Sequence, residues 1–177
     1  MNLTDKMMAD ILDDIVIIVD TREQKNDHIL RFFKDNGIKY EVSKLNTADY
    51  SFKLPNFPEL GYDLKVLVEK KNSLDEIAGN FTKDRDRFTR EFERVNDEHV
   101  HLVIENATWK KVSNKSWRSA FTGQAMRASL LTYTIRFNLK TWFVPIDESP
   151  SLIYNIIRYE IFEQLKKRRL LGLDKWL

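Results

Sequence analysis

Five β-branched aliphatic residues in a row, Ile15 to Val19, close on Asp20, which is the pattern of a short buried strand. Asn26–Asn36 then changes period: Ile29, Leu30, Phe32 and Phe33 fall on one side of a helix that Asn36-Gly37 would stop. Lys39–Leu45 and Asp49–Leu54 read as two further strands, followed by a loop through Pro55 and Pro58. Asp63–Lys71 is a fourth strand, placed to pair with the third as a hairpin. Ser73 with Glu76 three residues later has the form of a capping box opening a short helix. Thr82–Asn96 continues as a highly charged helix whose apolar contacts are Phe81, Phe88, Phe92 and Val95. His101–Glu105 returns as a buried strand, and Trp109–Trp117 reads as a basic, irregular stretch. Thr122–Asn138 has helical spacing at Met126, Leu130, Thr134 and Phe137; Thr141–Val144 is a last strand stopped by Pro145; Pro150–Arg169 closes as an amphipathic helix. This alternation predicts an α/β fold, a central mixed β-sheet flanked by helices on both faces.

Composition narrows the picture. A chain of 177 residues with 42% hydrophobic content is long enough for one sizeable core, and with 5 Gly and 4 Pro it has no linker or repeat. The expected organisation is an acidic N-terminal segment, residues 1–14, and a single domain over 15–177. The absence of cysteine excludes disulfides, thiolate metal sites and cysteine nucleophiles, and fits a reducing, cytoplasmic setting. No aliphatic run approaches the roughly 20 residues that cross a bilayer, and Asp5, Asp10, Asp13 and Asp14 are the reverse of a secretory n-region. Membrane association and export are not expected. The net charge of +2 does not itself argue for nucleic acid. Basic residues do gather at Lys110, Lys111, Lys115 and Arg118 and again at Lys166–Arg169, where solvated faces are the plainer reading.

Chemistry concentrates at the fourth strand. Side chains alternate there, so Leu67, Glu69 and Lys71 point one way and Val66, Val68 and Lys70 the other. A hairpin would bring Asp49, at the start of the preceding strand, back beside Glu69. Two carboxylates then meet one lysine. Phosphodiester hydrolysis needs a hard divalent cation, an activated water and positive charge near the transition state. Asp49, Glu69 and the backbone carbonyl of Lys70 would suffice for Mg²⁺, which keeps several of its own waters. Lys71 would orient or deprotonate the attacking water, and a nearby metal would lower its proton affinity. A lone Glu-Lys-Lys triplet reads more simply as the exposed end of a strand. The added weight comes from its company: Asp20-Thr21-Arg22-Glu23, Ala48-Asp49-Tyr50, and Asp75 four residues after Lys71.

That set resembles the nuclease domain of the XPF/Mus81 family, the ERCC4-type branch of the PD-(D/E)xK nucleases. The family hallmark, Gly-Asp, a spacer, Glu-Arg-Lys, three residues and Asp, stands here as Ala48-Asp49, Glu69-Lys70-Lys71 and Asp75. Its Val-Asp-x-Arg-Glu motif stands as Val19-Asp20-Thr21-Arg22-Glu23, and Leu102-Val103-Ile104-Glu105 looks like its hydrophobic strand ending in Glu. The resemblance, which runs from about Ile15 to about Lys167, implies a restriction-endonuclease-like fold. It implies ligation of Mg²⁺, with Mn²⁺ able to substitute, by Asp49 and Glu69, with Asp20 or Glu23 completing the site. It also implies Lys71 as catalytic lysine and Arg22 facing a phosphate. Asp75 falls between a supporting role and simple capping of a helix dipole. Two hallmark positions depart: Ala48 replaces Gly, which restricts the backbone if φ is positive there, and Lys70 replaces Arg. The tandem helix-hairpin-helix module of many relatives is not in the sequence, so a standalone domain is expected.

For substrate grip, Lys83, Arg85, Arg87, Arg90 and Arg94 interleave with acids as in a salt-bridged surface helix; under the resemblance Arg85 and Arg87 would reach DNA phosphates. Trp109 and Trp117 suit either base stacking or the core, and His28, His99 and His101 lack ligand spacing. Relatives of this family pair through the C-terminal helices of their nuclease domains, and Leu152, Ile153, Ile156, Ile157, Tyr159, Ile161 and Phe162 exceed what one helical face needs, so the resemblance implies a homodimer through these helices. The expectation is a Mg²⁺-dependent endodeoxyribonuclease acting on branched, flapped or forked DNA, a repair, recombination or replication accessory in the cytoplasm of a bacterial or phage-infected cell. A non-catalytic DNA-binding or scaffold subunit, a Holliday-junction resolvase and a restriction-type nuclease are the alternatives.

Overall fold

The computed structural model describes residues 3–95 and 99–172. Six strands form one sheet: β1 (Val16–Val19), β2 (Tyr40–Val42), β3 (Tyr50–Lys53), β4 (Leu67–Lys71), β5 (Val100–Glu105) and β6 (Lys140–Val144). Their order is β2-β1-β3-β4-β5-β6. β3 runs antiparallel to β1 and β4, whereas β1–β2, β4–β5 and β5–β6 are parallel. The sheet is mixed, as the sequence predicts.

Among the described residues eight helices accompany it: α1 (Asp5–Asp13), α2 (Asp27–Asp35), α3 (Pro58–Asp63), α4 (Leu74–Asn80), α5 (Arg85–Glu93), α6 (Trp109–Ser113), α7 (Gly123–Arg136) and α8 (Ser149–Leu170). Strand alternation assigns residues to two separate cores. Ile17, Val19, Val68 and Val103 face one layer, filled by Ile11 of α1, Phe33 of α2 and Ile153, Ile157 and Ile161 of α8. Leu67, Leu102 and Ile104 face the other, filled by Ile77 of α4, Phe88 and Phe92 of α5, and Met126, Leu130 and Tyr133 of α7. β4 and β5, central and buried on both faces, therefore feed both cores from adjacent residues.

Coverage is lopsided. Glu41 of β2 and Lys53 of β3 form an ion pair across the second face of the β2-β1-β3 half, and no helix residue of the second core packs there. The expected helices on both faces are present over β4–β6, while this half is covered on one face.

Four elements differ from the sequence expectation. The presumed loop after Pro55 contains α3, opened by Pro58 near its N-terminus and anchored by buried Leu60. The fourth strand starts at Leu67, because α3 and Leu64 occupy its predicted first residues. The basic stretch after Trp109 begins with α6, which Thr108 caps by accepting from the Lys111 amide. The charged helix is shorter than Thr82–Asn96; Asn96 itself lies outside the described residues.

The acidic N-terminal segment forms α1, capped by Thr4. Leu3, Met8 and Ile11 join the first core. Asp5 pairs with Arg169 at 2.6 Å and Asp13 with Arg158 at 3.6 Å, so acids at one end of the chain meet bases of α8 at the other.

Candidate active site

At the C-terminal tips of β1 and β4 the sheet residues turn from apolar to polar on both faces. β3 has not yet begun at Asp49, but the ladder extends to it: Asp49 N–H donates to the Val68 carbonyl at 3.1 Å and the Asp49 carbonyl accepts from Asp20 N–H at 2.8 Å. Ala48, just before, has φ of 68°, a left-handed conformation that costs an L-residue roughly 1–2 kcal/mol. This turn swings the Asp49 side chain over β4, where Oδ2 accepts from Lys70 N–H at 2.7 Å. Because a strand residue's N–H and C=O leave by the same edge, the Lys70 carbonyl opens on that side too.

Asp49, Glu69 and Lys71 line one cavity of about 210 Å³ together with Arg22, Asn46, Thr47, Arg87, Glu91 and Arg94. Lys71 Nζ donates to Glu69 Oε1 at 2.6 Å, stands 3.6 Å from Glu76 Oε1, and lies 5.4 Å from the Phe88 ring centroid. Burial and the neighbouring Glu69 push the Asp49 carboxyl well above the usual range, against the pull of Lys71 and the Lys70 amide. Burial would lower the Lys71 pKa, but Glu69 and Asp49 more than reverse it, so the ammonium form is favoured. The protein's own carboxylates thus oppose the lowering that a nearby metal would bring.

A buried carboxyl whose proton affinity is raised by burial and by a second carboxylate beside it forms, with that neighbour, a set of hard oxygen donors whose repulsion a divalent cation would relieve. Asp49 and Glu69 fit such an ion. Among the described residues no three His, Asp or Glu side chains gather as a ready metal cage, which leaves room for the waters Mg²⁺ retains.

Asp20 does not share the cavity. Its oxygens accept from Arg22 Nε at 2.7 Å, Arg22 Nη2 at 3.1 Å, Arg22 N–H at 2.8 Å and Leu45 N–H at 2.6 Å. Burial would raise its pKa, and these bonds outweigh burial and hold it below the usual range. Asp20 is the holder of Arg22, whose side chain, 62% exposed, reaches the cavity. Glu23 points to the opposite face of β4, and Asp75 accepts from Arg118 N–H at 2.9 Å, away from the cavity. Arg87 lines the cavity; Arg85 does not, and its nearest bond is to the Phe81 carbonyl at 3.5 Å.

Beneath the cavity, on the first-core face, the Lys70 ammonium is completely buried. It donates to Asn72 Oδ1 at 2.7 Å and the Lys25 carbonyl at 3.2 Å, with Glu23 Oε1 at 3.4 Å and Glu105 Oε2 at 3.9 Å. Glu105 in turn accepts from Ser149 Oγ at 2.6 Å and lies 2.8 Å from His28 Nε2. The network joins the ends of β1, β4 and β5 to the first turns of α2 and α8. His99 and His101 are likewise structural, both against Glu160.

Glu91 and Arg94 were not singled out by sequence reasoning. The available signal was helical: Phe88, Phe92 and Val95 face the second core, which leaves positions 87, 91 and 94 together on the flank towards the site. Trp117 is buried and spends its indole N–H on the Phe121 carbonyl, while Trp109 packs edge-on to Phe143 with its ring 47% exposed.

The ERCC4 domain profile matches residues 19–156. No curated protein matches the chain. Among solved structures, XPF from Aeropyrum pernix superposes with a TM-score of 0.58 at 14% identity, covering 81% of this chain and 60% of its own. The same protein in complex with DNA gives 0.58 at 13% identity, covering 84% and 66%. The chain thus spans about three fifths to two thirds of those structures, and at this identity they show its fold.

Proposed function

The chain belongs to the ERCC4 domain family, a family of DNA nucleases, and from that premise we propose that it is a Mg²⁺-dependent endonuclease hydrolysing phosphodiester bonds in branched, flapped or forked DNA. The observation that carries the reading is the convergence of Asp49, Glu69 and Lys71 in one cavity with Arg22 and Arg87 at its rim. A bound Mg²⁺ or Mn²⁺ would supply Lewis-acid activation of water and of the phosphate. Asp49 and Glu69 would hold the ion, with the Lys70 carbonyl on the same side. Lys71, as an ammonium, donates to a non-bridging oxygen of the scissile phosphate and keeps the attacking water in line. Arg22, steadied by Asp20, and Arg87 bind flanking phosphates, which positions the strand without reading its sequence. Water adds to phosphorus and passes its proton to solvent, while the P–O bond to the leaving sugar breaks and that oxygen takes a proton from solvent to leave as a hydroxyl.

Assembly follows the same reading. Ile153, Ile156, Ile157 and Ile161 are consumed by the chain's own first core, but Tyr159 of α8 and Trp142 of the edge strand β6 stay exposed. Pairing of two copies through this edge would cover them, and a mass by light scattering that stays monomeric across concentration would remove that part of the proposal. No helix among the described residues is long and apolar enough to cross a membrane.

The test is cleavage of end-labelled fork, 3′-flap, Holliday-junction, single-stranded and duplex DNA with Mg²⁺ or Mn²⁺, wild type beside Asp49→Ala. Metal-dependent cutting of the branched substrates, lost in the variant, is expected. Binding without cutting by wild type would replace the nuclease by a scaffold.

A further inference from the structure

The pairing of β3 with β4 is recorded at Tyr50↔Val68 alone, because α3 is inserted between the strands and drives them apart. Ser51 Oγ still reaches the Val66 carbonyl at 3.0 Å, but beyond it the strands diverge around an open trough of about 490 Å³. The trough is larger than the catalytic cavity and continuous with it: Asn46, Thr47 and Arg94 line both. Its far wall carries Lys65, and Ser51 and Leu67 lie along its floor. It lies on the second-core face of the sheet, beside the C-terminal end of α5.

Its chemistry is that of a polyanion groove. Among the described residues neither Arg94 nor Lys65 forms an ion pair, unlike Arg87, which stands 3.9 Å from both Asp84 and Glu91. Both cations are exposed, and no carboxylate lines the trough. The volume falls within the roughly 300–1,000 Å³ of pockets that enclose a small molecule, enough for a nucleotide or two of one strand and too little for base-paired DNA.

We propose that this trough binds the single-stranded stretch of DNA that adjoins the scissile bond, with Arg94 and Lys65 on successive phosphates. The inference rests on the nuclease reading of the adjoining cavity and adds to it a direction: one strand leaves the site across the splayed β3–β4 edge. Arg94, shared by cavity and trough, binds the phosphate at the junction. Lys65, outside the catalytic cavity, serves the unpaired strand only.

The experiment combines binding and cleavage. Fluorescence anisotropy with a labelled single-stranded oligonucleotide and with the corresponding duplex is measured across salt for wild type, Lys65→Glu and Arg94→Ala, alongside Mg²⁺-dependent cleavage of a flap substrate. Lys65→Glu is expected to weaken single-strand binding about tenfold while leaving duplex binding within about twofold. The neutral Lys65→Ala should lower the single-strand log–log salt slope by roughly 0.7, one phosphate contact. In cleavage, Lys65→Glu should raise KM for the flap with the maximal rate retained. Unchanged single-strand affinity and salt slope in both the Lys65 and Arg94 variants, with wild type cutting normally, would overturn the trough and leave the nuclease reading intact. Selective loss of single-strand binding in a protein whose wild type cuts nothing would sustain the trough and overturn the nuclease. Equal loss on single strand and duplex would make Lys65 a general surface contact and overturn the proposal. Neither side chain has a partner to lose, so unchanged thermal melting is the folding control.

Discussion

Lys70→Met tests the division of labour between the two faces of β4. Methionine keeps nearly the length and volume of the lysine stem but removes an ammonium that is completely buried and serves Asn72, the Lys25 carbonyl, Glu23 and Glu105. Glu105 is 1% exposed, so its charge would be left with Ser149 and His28 alone. Removing one partner of a buried charged set costs about 3–5 kcal/mol, since the other charge stays desolvated. For a chain of this size each kcal/mol moves the melting temperature by roughly 2–4 °C, so a drop of about 6–20 °C is expected. Urea unfolding followed by circular dichroism should show a lower midpoint with an unchanged slope. Cleavage per folded molecule at low temperature should persist, because Asp49 is held by the Lys70 backbone N–H, which the substitution retains. Combining it with Glu105→Gln should recover part of the loss, the coupling expected of groups in contact. A stability loss under about 1 kcal/mol, or lost cleavage at full stability, would refute this account of Lys70.

Other perturbations separate strain from function. Asp49→Asn should abolish metal-dependent cleavage yet raise the unfolding midpoint at pH 7: the Asp49 pKa is raised in the fold, so its contribution favours folding at low pH and is lost as pH rises through that value. The gap between the two proteins should close on acidification; a variant less stable at pH 7 would contradict the burial argument. Ala48→Val places a β-branched side chain at φ 68° and should cost roughly 2 kcal/mol in urea unfolding, with Ala48→Gly within about 1 kcal/mol of wild type; equal midpoints for Val and Ala would show that the turn is not left-handed. At the β5–β6 edge, His101 is pushed below its ordinary 6.5 by burial, and its Nδ1 accepts from Trp142 Nε1 at 3.0 Å, so the neutral ring is the native form. Burial would raise Glu160, but His101 and Lys140 hold it far below its ordinary 4.5. Both depressed values remove stability as pH falls, first below about 6.5 and then below 4.5. Glu160→Gln should flatten the lower limb of a urea-midpoint profile, and a variant profile parallel to wild type there would refute the assignment.

What was legible in the sequence was what a local pattern fixes. Six strands were placed within a few residues, because short apolar runs such as Ile15–Val19 and Leu102–Ile104 are buried as central strands. Period-two alternation separated Glu69 and Lys71 from Lys70, and the hairpin brought Asp49 alongside. The short helices α3 and α6 escaped, since six and five residues give no helical period and Pro58 reads as a breaker until its position at a helix start is known. Asp20 looked like a ligand because its partners, Arg22 two residues on and the Leu45 amide, are fixed by loop geometry. Glu91 and Arg94 needed the orientation of α5, which the second core decides. The four-oxygen setting of Lys70 draws on residues as distant in sequence as Lys25 and Glu105, and no window of sequence contains it.

The assignment of neighbouring β4 residues to opposite cores constrains how such a gene can change length. A single codon lost or gained within Leu67–Lys71 shifts every following side chain by one face. The Glu69 carboxylate would then be driven against Glu23 and Glu105, and the Lys70 ammonium would swing out into the cavity that faces solvent. Fold and site would fail together, with no intermediate sequence that keeps either. The segment just upstream is under no such rule, because α3 and the turns around it join strands already splayed apart. Differences in length among functional descendants of this chain should therefore accumulate between Lys53 and Leu64 and be absent from the five residues that follow Val66.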